Sequence, residues 1–453
     1  MLKFIIAFIA GKIARFVLRL SGRRGTHVPG KIAIKICPDF LKFIGKPKTV
    51  ICVTGTNGKT STANMTADSL RALGVSVADN SFGSNTVHGI SSAMLQSVNL
   101  FNKPKVDAAV LEVDERSSVH IYKYITPTYL ICTNLFRDSL MRNAHTEYIF
   151  GIIDSCLPEQ SVLILNGDDI ISSRLGRGKN EKRVFFSVDK LAGEETENYN
   201  IINDSRSCPD CGGRMDFEFK RYHHIGRVQC PVCGLKSPES DYRVLSAGDS
   251  GLTLLHGGEN LEFPTVNNAV YNIYNEAAVI ALLTEMGYST ESVSECLKSV
   301  TVTGTRYKAC KVGKINLICT MLKGLNPIAC SRNCHTAKLG SGSKAVFLMI
   351  DDVNHEREDC ENVSWHYEAD YEQLNDISIK AVYIAGPRAE DLKYRLLLAG
   401  IDESKIKTGR YEQDVIKQMT FDNIDTLFVF YDMFRFDELE NRVKPEIIKR
   451  ISA

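Results

Sequence analysis

The apolar run Thr49-Val50-Ile51-Cys52-Val53, followed at once by Thr54-Gly55-Thr56-Asn57-Gly58-Lys59-Thr60-Ser61, constrains this 453-residue chain more than any other feature. A short apolar run of this kind reads as a buried strand, and the stretch 61–73 reads as a helix. Glycines between a strand and a helix let backbone N–H groups approach phosphate oxygens, and the helix start adds positive potential. Thr56, Asn57, Gly58, Lys59, Thr60 and Ser61 are therefore expected to bind a nucleotide's phosphates. Lys59 neutralises the β/γ-phosphates and the Thr60 hydroxyl sits on Mg²⁺. The G-x-x-G-K-T spacing is shorter than the usual G-x-x-x-x-G-K-[ST], so the strand–loop–helix context carries the reading.

The rest of the chain repeats that rhythm. Apolar runs at 108–113, 129–132 and 162–165 alternate with helical patterns, as in a parallel sheet covered by helices. The rhythm breaks at 203–240 into a Cys-, Gly- and Pro-containing insertion and resumes as a helix at 267–286. From about residue 305 a second α/β set begins, with strands expected at 345–350, 381–385 and 426–431. The chain is thus an α/β protein in three parts: an N-terminal helix and linker (1–46), a central phosphate-loop domain (47–302) and a smaller C-terminal α/β domain (303–453). Composition agrees. With 44% hydrophobic and 24% charged residues it is not a mainly disordered, collagen-like or coiled-coil chain. A net charge of +1 leaves no global basic field, and no nucleic-acid partner is expected.

Residues 1–20 read MLKFIIAFIAGKIARFVLRL, with Lys3, Lys12, Arg15 and Arg19 interrupting the apolar run. A spanning helix needs about 20 mostly apolar residues. The stretch is instead expected to be an amphipathic helix that packs on the protein's own body or lies on a membrane surface.

Cys208-Pro209-Asp210-Cys211 and Cys230-Pro231-Val232-Cys233 form C-x₂-C-x₁₈-C-x₂-C, the spacing of a four-thiolate zinc ribbon. Gly212 and Gly234 stand ready for the tight turns after each pair. With all four ligands cysteine, the site is closed and structural, and zinc removal is expected to unfold the ribbon without touching the nucleotide site directly. His223 and His224, between the pairs, are expected to be surface or packing residues. Such a cluster, in a chain with 14 cysteines, favours a reducing, cytosolic setting.

GTNGKTS resembles the phosphate loop of the Mur ligases and folylpolyglutamate synthetases, which activate a carboxylate as an acyl phosphate for attack by an amine. The resemblance implies that Glu112, in Leu111-Glu112-Val113-Asp114-Glu115, holds Mg²⁺. It also implies that Asn272 and Asn275, in the segment Tyr271-Asn272-Ile273-Tyr274-Asn275, lie near the adenine. Thr133-Asn134-Leu135-Phe136-Arg137-Asp138 is similar to the family's TNxxxDH-type segment, with Arg137-Asp138 in place of Asp-His. The added ribbon, the 27–33 segment and Gly386-Pro387-Arg388-Ala389-Glu390-Asp391 resemble the MurT family, the Mur-ligase-like subunits of lipid II isoglutaminyl synthase. That likeness implies a Mur-ligase-like fold with an inserted four-cysteine zinc ribbon, and ATP, Mg²⁺ and Zn²⁺ as cofactors. It implies lipid II as substrate, a GatD-like class I glutamine amidotransferase as partner, and work in the cytoplasm at the inner membrane face. The reaction would be amidation of a D-Glu α-carboxylate to D-isoglutamine.

The C-terminal domain departs most from that pattern. In Asp359-Cys360-Glu361-Asn362-Val363-Ser364-Trp365, Asn362 stands where the family has an Asp, and an Asn cannot act as a base. Asp359 is the matched acid, with Asp351, Asp352 and Glu361 as alternatives. Lys59, Glu112 and Asp359 are therefore the expected catalytic residues. Two other readings stay open: a Mur-like ligase that adds an amino acid, and a diverged nucleotide-binding scaffold.

Overall fold

The computed structural model describes residues 1–22, 25–81, 84–137, 145–192, 194, 200–248, 251–266, 269–300, 307–322, 326–350 and 363–452. They fall into two compact units, the first drawn from residues 1–302 and the second chiefly from 303–453.

The first unit carries helices α1 (Leu2–Leu20), α2 (Val28–Ile36), α3 (Phe40–Phe43), α4 (Lys59–Ala72), α5 (Val87–Ser97), α6 (Ser118–Tyr122), α7 (Thr146–Cys156) and α8 (Val270–Glu285). Its strands are β1 (Thr49–Thr54), β2 (Val77–Asp79), β3 (Ala108–Glu112), β4 (Tyr129–Cys132), β5 (Val162–Asn166), β6 (Arg183–Val188), β7 (Asp216–Tyr222), β8 (Ile225–Gln229), β9 (Tyr242–Gly248), β10 (Gly251–His256) and β11 (Glu259–Phe263). Nine of them form one sheet in the order β11-β10-β9-β6-β5-β4-β1-β3-β2, while β7 and β8 pair as a separate hairpin. The sheet is parallel from β2 across to β9 and antiparallel through β9, β10 and β11. Val50 to Val53 are buried, because helices cover both faces of a parallel sheet and each strand must be apolar on both sides.

Strand β1 lies between β3 and β4: the chain runs from β1 to β2 beyond β3, returns to β3, and then crosses to β4 on the other side of β1. Ligands of open α/β sheets bind in the crevice at such a reversal, beyond the strands' carboxyl ends. Register sets Val53 beside Glu112 and Thr54 beside Cys132, and this brings the segments following β1, β3 and β4 to one place.

Helix α1 packs Phe4, Ala7, Phe8 and Gly11 inward, with the Phe4 ring against Phe40 and Phe43 (centroids 5.4 and 5.7 Å). Among the described residues no helix is long and apolar enough to cross a membrane.

The second unit holds β12 (Tyr307–Val312), β13 (Ile315–Leu322), β14 (Lys344–Met349), β15 (Ile379–Ala385), β16 (Ile406–Gly409) and β17 (Thr426–Asp432). Their order is β12-β13-β17-β14-β15-β16, antiparallel only between β12 and β13. Apolar clusters lie on both faces, one around Trp365, Tyr371 and Phe430, the other around Phe347, Tyr383 and Leu439. Trp365, the one tryptophan, is a core residue.

Candidate functional site

The turn between β1 and α4 is the centre of the site. Gly58 caps α4 with φ +86°, a left-handed conformation that an L side chain adopts only at a cost. No side chain caps the helix, so the first-turn N–H groups are not taken up by a capping residue. The segment after β4 holds the turn from below. Asn57 N donates to Asn134 Oδ1 (3.0 Å), and Thr133 Oγ1 and Asn134 Nδ2 donate to Asn57 O (2.6 and 3.0 Å). Thr56 Oγ1 accepts from Phe136 N (2.9 Å) and donates to Phe136 O (3.0 Å). Thr56 therefore serves the loop's shape with its side chain, whereas Thr60 and Ser61 are half-buried at the helix start.

Lys59 is buried among carboxylates. Its Nζ donates to Glu115 Oε1 at 2.9 Å, to Thr56 O at 3.2 Å and to Gly55 O. Burial works against its charge, but Glu115, Glu112 and Asp114 outweigh that and hold the ammonium above the ordinary lysine range. Glu112, at the end of β3, is buried and accepts from Asn85 Nδ2 (3.0 Å), while Asn80 bonds its backbone on both sides. Glu115 is a site residue that sequence reasoning passed over in favour of Glu112. The same acidic run contained it, and the turn at Glu115–Ser117 folds it back onto the lysine.

Asn272 and Asn275 lie on α8, both buried. Asn275 Oδ1 stands 2.4 Å from where a Cβ on Gly58 would fall, so α8 lies directly over the turn between β1 and α4. Asn267 and Asn268, which open the stretch 267–286 expected to be helical, lie outside the described residues.

The four thiols of Cys208, Cys211, Cys230 and Cys233 all lie within 4.8 Å of one another. Gly212 N donates to Cys208 O (2.8 Å) and Gly234 N to Cys230 O (3.0 Å), two matching turns with φ near +75° and +78°. The backbone N–H of Cys233 draws the Cys230 thiol down to about 7, against burial. Cys211, despite the Gly213 N–H, is pushed up to about 12 by the other thiols. Four sulfurs this close ionise together only around a cation, and the all-thiolate set fits a tetrahedral one.

The hairpin of β7 and β8 is not a free appendage. Arg221 Nε donates to Glu194 Oε1 (2.7 Å), Nη1 to Val188 O (3.1 Å) and to the Tyr274 hydroxyl, which itself donates to Asp168 Oδ2 (2.7 Å). His223 and His224 are fully buried packing residues. His224 Nε2 lies 3.3 Å from Asp169 Oδ1, and its ring is 4.4 Å from that of Phe136. Asp169 Oδ2 accepts from Leu135 N (2.8 Å). The neighbouring carboxyls diverge. Burial raises Asp168, with Val188 N–H and Arg221 opposing, while at Asp169 the His224 contact and N–H donors overcome burial and hold it low. The ribbon thus reaches both the 133–136 segment under the phosphate turn and helix α8 above it. Through these contacts a change in the ribbon would be felt at the turn between β1 and α4. Nothing in the local pattern of Asn166-Gly167-Asp168-Asp169, at the end of β5, singles these two acids out.

The C-terminal acids Asp351, Asp352, Asp359 and Glu361, with Asn362 and with Asp138 of the central domain, lie outside the described residues.

Residues 53–222 match the Mur ligase middle domain, and residues 324–433 match the MurT ligase C-terminal domain. The chain is 29% identical over 409 residues to a Staphylococcus aureus (strain COL) protein, covering 90% of this chain and 89% of that one. That protein is named lipid II isoglutaminyl synthase (glutamine-hydrolyzing) subunit MurT. A Streptococcus pneumoniae protein of the same name is 29% identical over 450 residues, covering 97% of each. Among solved structures, a pseudomurein peptide ligase type C from Methanothermus fervidus superposes with TM-score 0.68 at 20% identity, over 91% of this chain and 81% of that one. MurF ligase from Thermotoga maritima, in complex with ADP, gives 0.57 at 16% identity, over 94% and 84%. These two show the fold.

Proposed function

Because the chain belongs with the Mur ligases and carries the MurT type of C-terminal domain, we propose that it is the ATP-consuming subunit of a lipid II isoglutaminyl synthase. The observation that carries this reading is a phosphate turn whose lysine sits among three carboxylates at the sheet's switch point. A carboxylate is a poor electrophile. Its oxygen attacks the γ-phosphorus of ATP, ADP leaves, and the acyl phosphate that results is attacked by ammonia. Phosphate leaves with the acyl C–O bond, one proton is lost, and the D-Glu α-carboxylate has become the amide of D-isoglutamine.

The turn N–H groups from Gly58 to Ser61 bind the phosphates, and Lys59 exchanges Glu115 for them as negative charge accumulates. Thr60 and Glu112 are the residues that would hold Mg²⁺, which offsets charge on the transferred phosphoryl group. Asn272 and Asn275 border the nucleotide from α8. The thiolates of Cys208, Cys211, Cys230 and Cys233 hold zinc in a structural site. Asp359, or one of Asp351, Asp352 and Glu361, serves the amidation step. Ammonia comes from a GatD-like glutaminase, and the lipid-linked acceptor places the work in the cytoplasm at the inner membrane face.

Incubating the purified chain with MgATP, ammonium and lipid II, with mass spectrometry of the muropeptide, tests the reading. A carboxylate-to-amide mass change with stoichiometric phosphate release is expected. An adduct with an amino acid instead of ammonia, or no product when the glutaminase and glutamine are also present, would overturn it.

A further inference from the structure

Helix α1 has two faces of opposite fate. Phe4, Ala7, Phe8 and Gly11 are buried, and Lys12 Nζ donates to Leu95 O (2.7 Å) and Val98 O (2.6 Å) at the end of α5, which fixes the helix's rotation. Gly11 deepens that contact, since a Cβ there would stand 2.7 Å from a Leu95 methyl. With that face pinned, Ile5, Ile9, Ile13, Phe16 and Leu20 form an outward stripe at spacings of four and three residues, 47–74% exposed. From Ile5 to Leu20 the stripe runs about 22 Å. Among the described residues of the chain no protein surface covers it.

Charge says what does. Residues 1–38 contain eight Lys and Arg and no Asp or Glu, in a chain whose net charge is only +1, so the remainder carries −7. Lys3 and Arg19 are exposed on α1 itself, and Lys31 and Lys35 on the adjoining α2. A pinned apolar stripe among cations, on an otherwise anionic body, is the composition of a helix that lies in a headgroup layer. We infer that α1 docks on an anionic phospholipid surface, its stripe entering the acyl boundary and its basic residues facing lipid phosphates. The acidic remainder is repelled by the same surface, which orients the molecule. The inference deepens the reading of a lipid-linked substrate and rests on that reading for its purpose only.

The test is co-sedimentation of the full purified chain with phosphatidylglycerol/phosphatidylcholine vesicles and with phosphatidylcholine vesicles, at low and high salt. Partitioning should be stronger with the anionic vesicles and weaken as salt screens the charges. Ile9→Glu with Ile13→Glu puts two charges into the stripe at exposed positions, so the melting temperature should hold while partitioning falls at least about tenfold. Lys3→Glu with Arg19→Glu, which leaves the stripe intact, should abolish the anionic preference. A wild-type chain that stays in the supernatant with anionic vesicles, or a stripe variant that binds as well as wild type, overturns the inference. So does a wild-type dimer that the stripe variant dissolves without any vesicle binding, which would assign the stripe to a second copy. The assay contains neither nucleotide nor lipid II. A chain that binds vesicles but makes no amide leaves this inference standing, and one that amidates without binding vesicles leaves the other.

Discussion

Helix α4 has a left-handed glycine near each end, Gly58 at φ +86° and Gly74 at φ +82°. Replacing either by Ala incurs a similar backbone penalty, about 1–2 kcal/mol for an L residue in that region. The surroundings differ. A Cβ at Gly74 meets nothing within 4 Å, whereas one at Gly58 stands 2.4 Å from Asn275 Oδ1, on a side chain only 3% exposed. Asn275 cannot swing into solvent, so Gly58→Ala adds an overpacking cost of about 1–3 kcal/mol. Urea unfolding should therefore show a loss of about 1–2 kcal/mol for Gly74→Ala and of about 2–5 kcal/mol for Gly58→Ala. Calorimetric titration with MgATP should separate them further. Gly74→Ala keeps its affinity, while Gly58→Ala, with the turn N–H groups and Asn275 displaced, loses at least tenfold, or about 1.4 kcal/mol. Equal stability losses with wild-type nucleotide affinity in both variants would refute the placement of α8 over the phosphate turn.

Other consequences are open to direct measurement. Lys59→Met should abolish ATP turnover and, by leaving Glu115 buried without its partner, cost about 3–5 kcal/mol of stability; retained turnover would remove the lysine from the chemistry. Stripping the zinc proposed for the four-cysteine cluster with a chelator should weaken nucleotide binding as well as loosen the ribbon, because Arg221 and His224 reach Tyr274 and Asp169; an unchanged ATP affinity after proven metal release would sever that link. In the C-terminal unit Glu412 is buried, yet Arg435 and Arg442 hold its carboxyl below the ordinary glutamate range. Its stabilisation is present above that range and lost as pH falls through the lowered value. Glu412→Gln should accordingly depress the melting temperature near neutrality, with the difference closing in acid.

Local patterns carried far into this fold. The strands at 49–54, 108–112, 129–132 and 162–166, and those at 344–349, 379–385 and 426–432, announce themselves by the short apolar runs within them, because both faces of each run are covered. β6, β9, β10 and β11 did not, since their polar residues alternate with buried ones and the insertion separates β6 from its neighbour β9. At the site, the glycines, Lys59 and the paired Cys-x-x-Cys were legible because their chemistry requires fixed local spacing. Glu115, Asp168, Asp169, Arg221 and Tyr274 were not. What matters about them is mutual distance across 50 residues or more, which no local pattern encodes.

The place of β17 in its sheet bears on how the C-terminal unit comes into being. It is the last of its six strands in the chain, yet it is central, with β13 on one side and β14 on the other. Until residues 426–432 have left the ribosome, β12–β13 and β14–β16 are two separate pieces, each with an apolar edge exposed. A stalled or prematurely terminated chain therefore displays two sticky edges at once, and such a fragment is a ready target for chaperones and proteases. The first unit, complete by residue 302, is under no such delay and can fold while its companion is still being made.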